Sequence, residues 1–232
     1  YHAVDDIAAQ PRMPLSVIKG AEHELAQQAN IVFTTAVKLH EKFSKINTST
    51  FYFNNVADFS HFSQALDPDT ALPKEMLNFD KPIIGFIGAV SSYKVDFKLI
   101  SEISKRRPSW NFVFIGEIGE GDPLTNIEEI QESANIHLLG GRPYSLLPGY
   151  LKAIDVAIIP SRLNKYTSSM FPMKFFEYLA AGKPVVASRL HALQDFATVA
   201  AFADDATSFV SAIEDALAGR TALLTDRLAA AR

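Results

Sequence analysis

The stretch Phe171-Pro172-Met173-Lys174-Phe175-Phe176-Glu177-Tyr178-Leu179-Ala180-Ala181-Gly182-Lys183-Pro184-Val185-Val186 reads as a helix over residues 171–181 passing into a buried strand over 184–187. The helix is almost wholly apolar, with Lys174 and Glu177 its only charges, and at three residues apart they share one face. Two readings stay open. The pair is either a surface ion pair worth about 0.2–0.5 kcal/mol, or a functional pair, because a helix apolar all round is buried and a buried charge needs a partner or a task.

Outward from this stretch the same alternation repeats. Strands are expected at 83–87, 111–115, 136–139, 156–159, 184–187 and near 199–202, with helices at 95–106, 127–133, 146–154 and 171–181 between them. Six strands with intervening helices predict an α/β fold, a doubly wound parallel sheet. Upstream, a strand end at 1–4, a helix over 16–30 with Val17, Ile18, Ala21, Leu25, Ala26 and Ala29 at helical spacing, a strand at 31–34, a helix at 36–44 and a strand at 50–53 form a second alternation. Pro68, Pro73 and Pro82 mark a linker. The expected organisation is one domain over 1–66, a linker over 67–81, a larger domain over 82–204 and C-terminal helices over 205–232. The chain opens without Met at the end of a strand and closes in a helix with no stop signal, so it reads as cut from something longer.

Composition excludes several function classes. The 232 residues carry 22 Lys+Arg against 26 Asp+Glu, a net charge of −4 that offers no basic field to a nucleic acid. The absence of cysteine excludes disulfides, thiolate metal sites and a cysteine nucleophile. No apolar run approaches the roughly twenty residues of a membrane span, and the chain is read as soluble and cytoplasmic.

In open α/β sheets ligands lie beyond the carboxyl ends of the strands, so the loops there hold the candidates. In Gly88-Ala89-Val90-Ser91-Ser92-Tyr93-Lys94, Gly88 lets a phosphate approach the backbone, and a helix starting near Val95 points its amide end at an anion; a glycine needed only for a tight turn is the alternative. Gly116-Glu117-Ile118-Gly119-Glu120-Gly121 has its glycines in the wrong order for the dinucleotide fingerprint and is expected to be a flexible loop. The loop Pro160-Ser161-Arg162-Leu163-Asn164-Lys165-Tyr166-Thr167 is polar and the most specific of the three. Asp67-Pro68-Asp69 has metal-binding spacing but sits in the linker, His137 reads as a core or edge histidine, and Asn47-Thr48-Ser49 fits a glycosylation sequon without other signs of secretion.

Taken together, the 174–186 stretch, Gly88-Ala89-Val90 and the loop from Pro160 to Thr167 resemble the donor domain of the family-four, nucleotide-sugar-dependent glycosyltransferases of GT-B fold. Tyr1-His2-Ala3-Val4-Asp5-Asp6 and Phe53-Asn54-Asn55-Val56-Ala57-Asp58 resemble the late acceptor domain and its crossing into the donor domain. The resemblance implies a retaining, metal-independent transfer without a cofactor, from a nucleoside diphosphate sugar, most simply a UDP-sugar, to a glycan or lipid-linked acceptor. It implies that Glu177 accepts hydrogen bonds from ribose hydroxyls and that Lys94 lies near the diphosphate. Gly88, Asn164 and Thr167 join Glu177 as nucleotide-binding candidates, and Lys94, Arg162 and Lys174 are the candidates for stabilising the leaving diphosphate. Two positions depart from the family pattern: Met170 stands where a first glutamate contacts the transferred sugar, and Ala89 where a Gly-Arg pair holds phosphate. Peripheral association with the inner face of a membrane, through acceptor-domain segments outside this chain, is the expected setting, and the isolated chain is expected to be inactive because truncated. A sugar-nucleotide epimerase of the same architecture and a nucleotide-binding module without catalysis are the rival readings.

Overall fold

A computed structural model describes residues 1–232. By internal contacts they form two compact units: the first comprises Tyr1–Asn55, Leu163–Pro172 and Leu190–Asp195, and the second Val56–Arg162, Met173–Arg189 and Phe196–Arg232.

In the first unit β1 (His2–Ala3), β2 (Val32–Thr34) and β3 (Thr50–Tyr52) form a parallel sheet in that order, with α1 (Leu15–Gln28) and α2 (Val37–Ser44) as crossovers. Its core is Ala3, Ala26, Val32, Ala36, Leu39 and Phe43. The α1 face differs from the expected one: Val17 and Leu25 are 65% and 54% exposed, whereas Glu22 is buried with Ala26. The reason is an ion pair across the unit, Lys42 Nζ reaching Glu22 Oε2 at 2.7 Å and Asp6 Oδ1 at 3.2 Å. The sequon Asn47 is structural. Its Nδ2 donates to the carbonyls of Ala26 and Ala29 that end α1.

In the second unit a short α3 (Phe59–Phe62) precedes β4 (Ile83–Ile87), α4 (Phe97–Arg106), β5 (Asn111–Ile115), α5 (Glu128–Gln131) and β6 (Ile136–Gly140). There follow α6 (Leu147–Ala153), β7 (Val156–Ile159), α7 (Lys174–Ala180), β8 (Val185–Ser188), β9 (Ala201–Ala203), α8 (Ala206–Leu217) and α9 (Leu224–Ala230). The strands pair in parallel in the order β6-β5-β4-β7-β8-β9. Strands β4, β7 and β8 are buried along their whole length, which is why each reads as an unbroken apolar run, whereas the edge strand β6 is only partly covered. There His137 is half-buried, its Nε2 2.9 Å from Asn111 Oδ1.

The chain winds outward from β4 in one direction through β5 and β6, and in the other through β7, β8 and β9. The switch point therefore lies between β4 and β7, and the crevice outside their carboxyl ends is where this topology places a ligand. No helix is long and apolar enough to cross a membrane.

Candidate functional site

The site is assembled around α7. The Tyr178 hydroxyl, fully buried, accepts a hydrogen bond from Ile87 N at 2.7 Å and donates one to Ile87 O at 3.1 Å. Ile87 ends β4, where pairing with β7 has already stopped at Gly85, so its amide and carbonyl need partners from elsewhere. One side chain supplies both and bolts α7 to the strand end beside Gly88. Burial, with the charge of Glu177 nearby, pushes the Tyr178 phenol far above the usual tyrosine range.

This bolt decides where Lys174 and Glu177 stand. Gly88 has φ 142°, and a Cβ built on it would come within 2.7 Å of Lys174 Cε and 3.1 Å of Nζ. Lys174 thus lies across the backbone of the glycine turn, its ammonium 5.3 Å from the centre of the Phe86 ring. The positive φ meets the tight-turn reading of Gly88, and the missing Cβ leaves the space that Lys174 occupies. Glu177 is partly buried, and burial raises its carboxyl pKa against the pull of Lys174 and His61. His61 comes from α3, which is capped by Asp58 Oδ1 on His61 N at 3.0 Å and packs against α7. Its ring stacks on Tyr144, centroids 4.3 Å apart and 13° from parallel, while His61 Nε2 meets Tyr144 O at 2.9 Å. The Tyr144 phenol is raised by burial and by the charges of Glu177 and Asp58. Sequence reasoning missed His61, Tyr144 and Tyr178. The first two lie 83 residues apart with no shared motif, and Tyr178 is indistinguishable in sequence from its apolar neighbours.

The loops after β4 and β7 are joined. Arg162 N donates to Lys94 O at 2.9 Å and Asp96 N to Pro160 O at 2.8 Å. Lys94 Nζ lies 5.2 Å from the centre of the Tyr93 ring, and the Arg162 guanidinium donates to Ser92 O at 3.1 Å beside a cavity of about 300 Å³ that Asn126, Glu128 and Glu129 also line. Gly88, Lys94, Arg162, Lys174 and Glu177 all belong to the second unit, whereas Asn164 and Thr167 belong to the first. There Asn164 Oδ1 accepts from Thr167 N and Thr167 Oγ1 from Asn164 N, each at 3.0 Å, so the two residues close their own loop; Thr167 is 1% exposed.

Two sequence expectations are corrected. The helix after β4 starts at Phe97 rather than near Val95, and its amide end is capped by Asp96 Oδ1 on Leu99 N at 3.1 Å, which spends the donor there and opposes an anion with a carboxylate. The glycine series after β5 is not a flexible loop. Gly88 N donates to Ile115 O, Val90 N to Glu117 O and Gly119 N to Val90 O, at 2.8–3.0 Å, while a Cβ on Gly116 would lie 2.0 Å from Gly88 O. Gly116 is there so that the two turns can touch. Near Gly88 the diphosphate candidates are therefore cationic side chains more than backbone amides.

Residues 81–219, spanning β4 to α8, match the family model described as glycosyl transferases group 1. The chain is 32% identical over 182 residues to a Bacillus subtilis (strain 168) protein assigned as teichuronic acid biosynthesis glycosyltransferase TuaH; the match covers 75% of this chain and 44% of that protein, so the chain spans less than half of the relative's length. Among solved structures, Anabaena HepE in complex with UDP-glucose superposes with a TM-score of 0.74 at 17% identity, over 100% of this chain and 66% of that one. Sucrose-phosphate synthase from Thermosynechococcus elongatus superposes with a TM-score of 0.69 at 20% identity, over 93% and 57%. With its parallel Rossmann-like sheets and the family match running through the whole six-stranded sheet, the chain belongs to the glycosyl transferases group 1 family and has the GT-B fold.

Proposed function

We propose that the second unit binds the donor of a metal-independent, retaining sugar transfer, a nucleoside diphosphate sugar with uridine as its base, and that the acceptor is a glycan or lipid-linked glycan at the inner face of a membrane. The observation that carries this reading is the pairing of Lys174 with the bare backbone of Gly88, one helical turn from a partly buried Glu177, beside the switch point of the sheet. A cation over a glycine turn suits a diphosphate. A carboxylate raised by burial gains from two neutral donors, and the vicinal hydroxyls of a ribose are such a pair. The UDP-glucose bound by HepE and the teichuronic acid biosynthesis named for TuaH support the donor and acceptor classes. In this reading Lys174, Lys94 and Arg162 stabilise the charge that gathers on the departing diphosphate, and Gly88 and Glu177 shape the nucleotide site.

The test is calorimetric titration of UDP and 2′-deoxy-UDP into wild type and Glu177→Ala. A hydrogen bond to a charged group is worth about 1.5–3 kcal/mol, so Glu177→Ala is expected to weaken UDP about ten- to hundredfold and to abolish the preference for the ribonucleotide. A variant that melts lower but keeps that preference refutes the assignment.

A further inference from the structure

At the opposite, amino-terminal end of the six-stranded sheet a cavity of about 690 Å³ opens where the chain enters β4, β7 and β8. Lys81, Lys152, Asp155, Lys183, Trp110 and Leu217 line it. The three lysines are not equivalent. Lys152 spends its three N–H groups on the carbonyls of Asp67, Pro68 and Thr70, at 2.7–2.8 Å. Lys81 is paired with Asp155 Oδ1 at 2.9 Å and with Ala153 O, and the other Asp155 oxygen accepts from Ile83 N. Lys183, half-buried, makes one hydrogen bond, to Lys152 O at 3.1 Å. Its ammonium has two further N–H groups at the cavity lining, and a phosphate there would take them up in charge-assisted hydrogen bonds.

The charges around it are one-sided. Lys81 before β4 and Arg227 on α9 act on Lys183 as two cations, against the single carboxylate of Asp155 before β7. Burial first, then Lys81 and Arg227, push the Lys183 amine down to about 8 despite Asp155. Trp110 and Leu217 give the cavity an aromatic and aliphatic wall. We infer that this cavity is a binding site, separate from the crevice at the carboxyl ends of the strands, for a small organic phosphate whose dianion is held by Lys183 and whose apolar body lies against Trp110.

Trp110 is the sole tryptophan of the chain, so its fluorescence reports this cavity directly. The probe is phenyl phosphate, with inorganic phosphate, benzoate and phenol as separate arms. A saturable change is expected with phenyl phosphate, weaker with inorganic phosphate and with singly charged benzoate, and none with phenol; saturating UDP leaves it unaltered. Binding needs the protonated amine, and a phosphomonoester is already a dianion above about pH 6, so affinity in wild type should fall about tenfold between pH 7 and pH 9. Lys183→Met should remove the response. Lys183→Arg, charged at every pH used, should bind and lose the pH dependence. No saturable signal with phenyl phosphate overturns the inference. So does competition by UDP, an affinity flat from pH 7 to 9 in wild type, or equal binding of benzoate.

Discussion

Replacing Tyr178 by Phe removes one oxygen atom and orphans two backbone groups. The hydroxyl accepts from Ile87 N at 2.7 Å and donates to Ile87 O at 3.1 Å, in a place where Tyr178 is 1% and Ile87 7% exposed, so water does not stand in for it. A buried donor or acceptor left unsatisfied costs about 1–3 kcal/mol. Two of them give about 2–6 kcal/mol, well above the roughly 1 kcal/mol centre of ordinary substitutions. At about 2–4 °C per kcal/mol for a chain of this size, the melting temperature falls by at least about 4 °C. Urea unfolding followed by Trp110 fluorescence is the right assay, because Trp110 packs into the core of the same unit. Tyr144→Phe is the control, since Tyr144 is 53% exposed and should change stability by under about 0.5 kcal/mol. The functional consequence runs in parallel: with the bolt drawn, Lys174 and Glu177 lose their fixed distance from Gly88, and UDP affinity falls as well. A Tyr178→Phe variant as stable as the Tyr144→Phe control refutes the reasoning.

Other consequences are equally direct. Burial raises Glu177 above its ordinary 4.5, so the folded chain holds that proton more tightly than the unfolded chain; this favours folding below about pH 4.5 and is lost as pH rises through the folded value. Glu177→Gln should therefore be more stable than wild type at pH 7 in urea titrations, with the gain shrinking toward pH 4.5, and a pH-independent difference refutes the sign. Gly116→Ala places a Cβ 2.0 Å from Gly88 O at φ 154°, a clash with a backbone atom that no rotamer relieves, and should abolish UDP binding in calorimetry. Gly20→Ala, in α1 with open space around it, should instead stabilise by about 0.5–1 kcal/mol. Lys94→Ala and Arg162→Ala should weaken UDP about tenfold or more while leaving uridine unchanged, because a phosphate contact is lost only when phosphate is present; equal losses for both ligands would show that these residues are structural.

Periodicity read the six strands of the larger unit, because β4, β7 and β8 are buried along their whole length and stand out as apolar runs, but it missed the one-turn α3 and started α4 two residues early. The Lys174–Glu177 face was legible for a related reason: two charges in an apolar helix are conspicuous, and the period of a helix places them together. The face of α1 was not legible. Ala21, Leu25 and Val17 satisfy the helical pattern, yet a partly buried ion pair with Lys42 of α2 turned Glu22 inward. Nor was the cap of α4, since Asp96 has a role only once the helix start is known. Strand order belongs wholly to tertiary structure: a repeating βα sequence is compatible with many orders, and only the pairing of β4 with both β5 and β7 puts the switch point beside Gly88. The same holds for every contact that joins distant segments, Tyr178 with Ile87, His61 with Tyr144, Gly116 with Gly88. Sequence periodicity encodes which face of an element is apolar, because that depends on neighbours three or four positions away, whereas which atoms meet across the fold depends on how the whole set of elements packs.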